Sequence, residues 1–415
     1  MPQIWKSLYQ SSQPFGPSPV RAKGKLTPNF GKEIGSLRDN GGIDQSPVAV
    51  YIHTPFCPSK CGYCDFNSYA MSGEIMVRTT AATVREIRES PHAGRPAKTI
   101  FVGGGTPTFL PTEQLVAILE AVIEVHPPVD DCEITSEANP GTIDFPKFEA
   151  MRAAGFNRLS LGAQSFQTHD LIQLGRVHAP THIAEAVQKA RRAGFDNVNL
   201  DLMFALPGQS LKAWETNLET ALALGTEHLS LYCLTIEQNT RFYRQNLRGM
   251  LALPDDERQT AMYDLAVERC EAAGLQQYEI SNFGRPGRES RHNLAYWRSA
   301  EYLAYGPGAV GCFDREDGRY RYTNLKHPEG YSSAVEEGRD LHFESEVLSE
   351  EDRNFERIMM GIRLNSGLEL QSVNVDDLGM VLAMSRGWLR MQDDRLELTQ
   401  VGRHFCSEVA VLLAP

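Results

Sequence analysis

The sequence predicts an α/β fold in which a partial barrel of six βα units precedes a small C-terminal α+β domain. Six apolar runs between residues 47 and 280 alternate with stretches of helical periodicity. Glycine follows several of these helical stretches, as it commonly does at the ends of helices. Because repeated βα units build parallel sheets, we expect the six strands to lie side by side, as an open version of the eight-stranded barrel.

The predicted strands are apolar runs of the length that buried parallel strands have. The helix between the second and third strands has the clearest amphipathic pattern, with apolar residues at i, i+3, i+4, i+7 and i+8 from Leu115 to Ile123. The six strands are predicted at residues 48–52, 99–102, 133–136, 158–161, 198–202 and 228–234.

We divide the rest of the chain into three further regions. Residues 1–46 are rich in Ser, Pro and Gly without a hydrophobic period, which predicts a disordered extension. Residues 281–345 are turn-rich and aromatic, and we treat them as a linker region. Residues 346–415 begin with a helix at Ser349 and contain a hairpin that turns at residues 393–394, an order that resembles a winged-helix domain. This domain holds 12 acidic and 7 basic residues, so it should serve for docking or as a lid rather than bind DNA.

The composition excludes several classes of function. The chain has 415 residues and a formal net charge of −12, which argues against a general binder of nucleic acid or of anionic membranes. No apolar run approaches the roughly 20 residues of a membrane-spanning helix, and the N-terminus lacks the apolar stretch of a signal peptide. Five of the eight cysteines show no pairing pattern, which favours a reducing cytoplasm. These five are Cys132, Cys233, Cys270, Cys312 and Cys406.

Three closely spaced cysteines carry the strongest chemical signal. Cys57, Cys61 and Cys64 form a CxxxCxxC motif directly after the first predicted strand. A [4Fe–4S] cluster normally takes four cysteines, so three thiolates leave one iron open, and S-adenosylmethionine can chelate it through its amino and carboxylate groups. A zinc knuckle or a chance grouping is the alternative. A structural zinc site needs a second pair of ligands, and no such pair follows in this sequence.

Polar or glycine-rich motifs also stand at the carboxyl ends of the next four predicted strands. Barrel enzymes build their active sites at the carboxyl ends of the strands, so we expect these motifs to face one cavity and to contact S-adenosylmethionine. Taken singly, the glycine run could be only a turn, and each polar residue a helix cap or a solvated loop residue. In chain order the motifs are Gly103-Gly104-Gly105-Thr106-Pro107, Glu137, Gln164 and Asp201.

A second cluster lies within residues 281–345. His292, Asn293, Tyr296 and Trp297 form an HNxxYW motif. Imidazole is a common axial ligand of haem, and neighbouring aromatic rings suit a flat macrocycle. A histidine in a loop, however, more often has a structural role.

Taken together, these motifs resemble those of the radical S-adenosylmethionine superfamily. Within it the sequence resembles the haem chaperones, which are related to the oxygen-independent coproporphyrinogen III dehydrogenase. The resemblance extends from about Val48 to the C-terminus. It rests on Tyr51-Ile-His53, the CxxxCxxC motif with Asp65-Phe66, residues 103–108, residues 137–141, residues 201–208 and the HNxxYW motif.

The resemblance implies a role for each matching residue. Cys57, Cys61 and Cys64 would ligate the cluster, and His292 would be the haem ligand within a site that also holds Asn293, Tyr296 and Trp297. The residues implied to contact S-adenosylmethionine are Tyr51, Tyr63, Gly104, Gly105, Thr106, Glu137, Gln164, Arg176, Asp201 and Cys233.

Two departures from related sequences bear on the activity. The dehydrogenase carries a further cysteine two residues after the third, where this chain has Phe66, as the chaperones do. Chaperone-like sequences usually read Gly-Ala-His where this chain has Gly308-Ala309-Val310. The second departure places more of the expected haem binding on His292.

We therefore expect a haem chaperone that passes haem to an acceptor protein, such as a membrane-associated respiratory enzyme, and that forms a homodimer. The alternative is an active dehydrogenase, in which a 5′-deoxyadenosyl radical would abstract hydrogen from the propionate side chains of a porphyrinogen. A third possibility is a scaffold that carries the cluster without haem or turnover.

Overall fold

The computed structural model of the protein describes residues 46–415, so all but the last residue of the extension predicted for residues 1–46 lies outside the described residues. Six parallel strands form the centre of its large sheet in chain order, as the sequence predicts. They are β1 (Val48–Thr54), β2 (Ala97–Gly104), β3 (Pro128–Ala138), β4 (Arg158–Gln164), β5 (Val198–Phe204) and β6 (His228–Cys233).

Helices connect these strands, and their apolar faces pack against the sheet. The amphipathic stretch predicted from Leu115 lies in the second helix, where Leu115, Ile118, Leu119 and Val122 are buried. Gly155 and Gly175 end two of the helices in the left-handed conformation that glycine adopts without strain. The helices are α1 (Glu74–Arg88), α2 (Thr112–Val125), α3 (Phe145–Ala154), α4 (Thr168–Leu174), α5 (Pro180–Arg192), α6 (Leu211–Ala223), α7 (Arg241–Leu247) and α8 (Asp256–Ala272).

The segment predicted as a turn-rich linker instead extends the sheet at one side. Its strand β9 pairs in parallel with β1, and three further strands continue from β9 as an antiparallel meander. On the other side, β8 pairs antiparallel with β6, and β7 with β8. These elements are β7 (Gln276–Glu279), β8 (Asn282–Gly284), α9 (Arg291–Trp297), β9 (Tyr302–Tyr305), β10 (Val310–Arg315), β11 (Gly318–Asn324), α10 (Pro328–Glu337) and β12 (His342–Leu348).

The C-terminal domain has its own small core of apolar side chains and a three-stranded sheet. The Ser349 hydroxyl accepts a hydrogen bond from the Asp352 amide, which caps the helix predicted there. Asp393 and Asp394 both adopt positive φ, as a tight two-residue hairpin turn requires. The elements are α11 (Glu350–Gly361), β13 (Leu368–Glu369), α12 (Asp377–Ser385), β14 (Leu389–Gln392), β15 (Arg395–Leu398), α13 (Gln400–Arg403) and α14 (Cys406–Leu413). The boundaries drawn between the four regions stay predictions.

The two faces of the parallel strands differ in character. Successive side chains of a strand point to opposite faces, and the face toward the helices is apolar, with Val50, Ile100, Leu159 and Leu200 in the main core. The inner, concave face carries polar side chains, which are described with the site below. Among residues 46–415, no helix is both long and apolar enough to cross a membrane.

Candidate functional site

One cavity lies on the inner face of the sheet, where the carboxyl ends of the parallel strands meet the cysteine loop. Most of the residues singled out from the sequence line this cavity, although they come from distant parts of the chain. The lining includes Cys57, Cys61, Tyr63, Cys64, Gly104, Gly105, Thr106, Glu137, Gln164, Arg176, Asp201 and Asn293.

The cysteine loop is held in place by a lysine and faces an arginine. Lys60 Nζ donates to the Phe66 and Ser68 carbonyls, at 2.5 and 3.2 Å, which closes the loop. Arg176 Nη1 lies 3.6 Å from the sulfur of Cys61. Burial raises the pKa of Cys64 to about 11, so its thiolate needs positive charge nearby. Lys60 supplies part of that charge, and an iron ion would supply the rest.

The glycine run after β2 brings main chain to the cavity wall where no side chain fits. Gly104 has φ +106°, and a Cβ there would lie 2.4 Å from the ring of His53. A Cβ on Gly105 would lie 2.6 Å from the carbonyl oxygen of Phe56. The Gly104 amide donates to Glu137 Oε2 at 2.9 Å. Gly104 and Gly105 also line the cavity with backbone alone, so a ligand beside the cysteine loop can reach the main chain there.

Two half-buried acids face the cavity from β3 and β5. Burial, and next the negative charge of Asp201, raise the pKa of Glu137 to about 8. Burial also raises the pKa of Asp201, which accepts hydrogen bonds from Ser160 Oγ at 3.1 Å and from Asn199 Nδ2 at 2.8 Å. Such acids can accept hydrogen bonds from ribose hydroxyls or from an ammonium group.

Tyr51 and Cys233 lie beside the cavity rather than on its wall. The Tyr51 side chain is buried, and its hydroxyl is hydrogen-bonded to His53 Nδ1 at 3.0 Å. Cys233 Sγ lies 3.5 Å from Gln259 Oε1 at the end of β6. Their expected contacts with S-adenosylmethionine stay predictions.

The HNxxYW motif forms helix α9, which closes the floor of the partial barrel. His292 is 1% exposed and packs against the ring of Phe101. Its Nδ1 is hydrogen-bonded to Thr99 Oγ1 and its Nε2 to the Tyr296 hydroxyl, both at 2.8 Å. Burial lowers the pKa of His292 to about 3. Because both ring nitrogens are occupied, this geometry does not support the prediction that His292 ligates haem iron.

The other three motif residues face three different surroundings. Asn293 lines the cavity, and the Tyr296 ring packs edge-on against Tyr302 at 4.8 Å. The Trp297 ring lies against the guanidinium of Arg363 in the C-terminal domain, 4.6 Å from its centre. The motif therefore joins the barrel floor, the cavity and the C-terminal domain. It does not present one aromatic surface for a macrocycle.

Sequence reasoning missed the polar residues on the inner walls of the strands. The lining also includes Arg158, Ser160, Asn199, Ser230 and Tyr232. A detectable signal was present, because polar residues alternate with apolar ones in stretches such as Arg158-Leu-Ser160-Leu and Val198-Asn-Leu-Asp201. In parallel strands covered on both faces, an almost continuous apolar run is the ordinary pattern.

Comparison with known proteins shows the family to which the chain belongs. Residues 51–221 match the radical SAM superfamily. The haem chaperone HemW of Escherichia coli K12 is 40% identical over 322 residues, which cover 77% of this chain and 83% of that protein. HemW of Bacillus subtilis 168 is 39% identical over 77% of this chain and 84% of its own length. HemW of Mycobacterium tuberculosis H37Rv is 38% identical over 86% of this chain and 92% of its own length.

This chain belongs to the HemW family of the radical SAM superfamily. The fold agrees as well, because the coproporphyrinogen III oxidase HemN from Escherichia coli superposes with a TM-score of 0.77 over 93% of this chain and 94% of its own. At 21% identity, HemN shows the shared fold alone.

Membership of the radical SAM superfamily implies a [4Fe–4S] cluster and S-adenosylmethionine, and the residues of this HemW-family chain fit both. Three thiols share one wall of the cavity with Arg176, whose buried Nε has no hydrogen-bond partner among the described residues. Beside them, Gly104 and Gly105 line the cavity with backbone that a ligand can contact.

Proposed function

We propose that this protein is a haem chaperone that binds haem and transfers it to an acceptor protein, and that carries a [4Fe–4S] cluster and S-adenosylmethionine in the cavity. The observation that carries the proposal is the identity of 38–40% to three proteins named haem chaperone HemW, over 83–92% of their lengths. The acceptor we propose is a membrane-associated respiratory enzyme.

We also propose that the protein works in the cytoplasm, because a reducing compartment suits its unpaired thiols. The working form that we propose is a homodimer.

The chain's own residues would divide the work in the cavity. Cys57, Cys61 and Cys64 would ligate three irons, and Arg176 would offset the negative charge of the thiolates. Gly104, Gly105 and Thr106 would offer backbone to S-adenosylmethionine. Tyr63, Glu137, Gln164 and Asp201 would contact its polar groups. When bound, the cluster supplies one-electron reduction chemistry.

Haem titration after anaerobic reconstitution tests the proposal. The wild type should bind about one haem per chain and release it to an excess of apomyoglobin. A Cys57→Ala, Cys61→Ala, Cys64→Ala variant should lose the charge-transfer absorption of the cluster, whereas Cys132→Ala, matched in residue type but outside the cavity, should keep it. A wild type that takes up no haem contradicts the chaperone function.

An active radical enzyme on a porphyrinogen is the second candidate. The overall similarity to HemN favours it at the level of the fold, and the polar cavity has room for chemistry beside the cluster. Phe66 argues against it, because it stands where the dehydrogenase carries a further cysteine. Anaerobic incubation with coproporphyrinogen III, S-adenosylmethionine and a reductant distinguishes the chaperone from the radical enzyme. Formation of decarboxylated product would establish the enzymatic activity.

A further inference from the structure

The floor of the cavity holds a buried arginine whose charge is incompletely satisfied. Arg158 is 2% exposed and lines the cavity from the first position of β4. Within residues 46–415 its Nε has no hydrogen-bond partner, and the nearest carboxylate oxygen, Glu133 Oε2, lies 4.0 Å away. A buried cation without hydrogen bonds is costly, so the guanidinium retains donors for a partner that enters the cavity.

Glu133 is an incomplete partner of Arg158, because it lies 4.0 Å away and its carboxylate is held in place by the start of helix α9. Glu133 Oε2 accepts a hydrogen bond from the Arg291 amide at 3.1 Å, and Oε1 accepts one from the His292 amide at 3.0 Å. Both bonds satisfy amides of the first turn, which lack partners within the helix. Moving Glu133 toward Arg158 would break them.

A second buried polar group faces the same space from α9. Asn293 is 7% exposed and lines the cavity, and its Oδ1 has no hydrogen-bond partner among the described residues. Turning the amide by 180° would present the donor Nδ2 instead and would break no hydrogen bond of Oδ1. Two elements far apart in sequence thus direct unpartnered polar groups into one space.

The floor is distinct from the part of the cavity that faces the cluster. Arg158 begins β4 and Asn199 is the second residue of β5, whereas Glu137 and Gln164 stand near the carboxyl ends of their strands, close to the cysteine loop. Ser160 and Asp201 lie between the two levels along these strands. S-adenosylmethionine that chelates the open iron would place its carboxylate beside the cysteine loop, so this carboxylate would not reach the floor.

We propose that the floor of the cavity is a subsite for a carboxylate group, bound by Arg158 and Asn293, of a ligand other than the S-adenosylmethionine at the cluster. The planar guanidinium matches a carboxylate with two parallel hydrogen bonds, and the Asn293 amide donates a third. The carboxylate comes either from a haem propionate, which rests on the proposed function, or from a free short-chain acid.

The test uses the anaerobically reconstituted full-length protein and three variants. Arg158→Gln and Asn293→Ala remove one donor group each, and Arg88→Gln is the matched control, since Arg88 is half-exposed and pairs with Glu124 on the outer helices. Equilibrium dialysis with labelled propanoate measures the subsite directly. The wild type and Arg88→Gln should bind propanoate with equal affinity. Arg158→Gln and Asn293→Ala should each bind it at least about tenfold more weakly, because each loses a hydrogen bond to the charged carboxylate.

Titrations with haem and with haem dimethyl ester identify the source of the carboxylate. A haem propionate at the floor predicts that the wild type prefers haem over its ester, and that Asn293→Ala loses this preference. If the wild type binds both equally while propanoate binding still depends on Arg158 and Asn293, the source is a free acid. Equal propanoate affinity in all four proteins overturns the subsite. Propanoate binding without haem binding overturns the chaperone function and leaves the subsite standing. Because Asn293→Ala removes no charge, it keeps the test decisive if Arg158→Gln fails to fold.

Discussion

A histidine among aromatic rings is either an iron ligand or a part of the core, and the contacts of its ring nitrogens distinguish the two. In His292 both nitrogens are hydrogen-bonded to buried hydroxyls, those of Thr99 and Tyr296. The low pKa keeps the ring neutral, so one nitrogen donates and the other accepts. Iron could reach the ring only after one of these bonds had broken and helix α9 had moved.

We predict that His292→Ala lowers stability but not haem binding. The change leaves two buried hydroxyls unpaired and should lower the free energy of unfolding by about 2–4 kcal/mol. Urea denaturation and a Soret titration of the folded variant measure the two effects separately. His327→Ala, at an exposed histidine, should change neither. Lost haem binding at unchanged stability would restore His292 as the ligand.

Glu137 predicts how stability depends on pH in the absence of ligand. Its folded-state pKa of about 8 lies above the ordinary value of 4.5, so the folded protein holds the proton more tightly than the unfolded chain. This contribution is fully present below pH 4.5 and is lost as the pH rises toward 8. Glu137→Gln should therefore match the wild type at low pH and be more stable at pH 8.

Thermal unfolding of the cluster-free protein checks this prediction. A gain of about 1 kcal/mol would appear as a rise of roughly 2–4 °C in Tm for a domain of this size. Glu113→Gln, at a carboxylate on helix α2 outside the cavity, is the control and should follow the wild type at both pH values. A variant that is less stable at pH 8 would show that the Glu137 carboxylate is ionised and paired.

Among single residues, those recognisable from the sequence belong to local motifs. The three cysteines and the glycine run stand within a few residues of one another or directly after a strand, so their chemistry is visible in the sequence. Arg158 and His292 are different, since their environments come from partners such as Thr99 and Glu133, which are distant in sequence. No local pattern determines whether such a residue is buried, paired or free to bind.

At the level of elements, the end of β2 depends on Gly104, which has a positive φ and packs closely against the ring of His53. We predict that Gly104→Ala abolishes binding of S-adenosylmethionine and destabilises the protein, because the new Cβ would lie 2.4 Å from the His53 ring. Gly94→Ala is the matched control, since Gly94 also has positive φ, +90°, but nothing within 4 Å.

The two glycine variants separate backbone strain from steric overlap. Gly94→Ala should cost about 1–2 kcal/mol from strain alone, and Gly104→Ala clearly more. Urea denaturation measures the cost, and equilibrium dialysis measures the ligand. Equal costs in the two variants would mean that His53 moves aside easily and that the close packing is unimportant.

The central strands were predictable because short segments rich in apolar residues alternate along the chain with stretches of helical periodicity. The strands in residues 281–345 were not, for two physical reasons. Strand β11 alternates Arg and Tyr, and its arginines are buried through ion pairs such as Arg321 with Glu346 and Glu356. Strand β9 has four residues and is placed by parallel pairing with β1, some 250 residues earlier, which no local pattern records.

For the whole molecule, a buried ion pair attaches the C-terminal domain to the edge of the sheet. Glu279 of β7 is fully buried and lies 3.5 Å from Arg363, which follows α11. We predict that Glu279→Ala costs about 3–5 kcal/mol, because it removes the carboxylate that faces the buried guanidinium of Arg363. Hydrogen exchange should rise selectively in residues 350–413 as this domain separates from the sheet.

Two comparisons make this prediction specific. The double variant Glu279→Leu, Arg363→Met should recover most of the stability, since an apolar pair of similar volume often replaces a buried ion pair. Asp264→Ala removes the partly exposed pair with His404 at the same junction and should cost less than about 1 kcal/mol. Uniformly faster exchange in Glu279→Ala would contradict separate attachment of the domain.

Helix α9 gives the molecule a means of communication between distant surfaces. Its seven residues contact the barrel floor through His292, the cavity through Asn293 and the C-terminal domain through Trp297 and Arg363. Thermodynamic linkage is reciprocal. If an acceptor on the C-terminal domain moves this helix and so changes the affinity of the cavity for its ligand, occupancy of the cavity changes the affinity for the acceptor by the same factor.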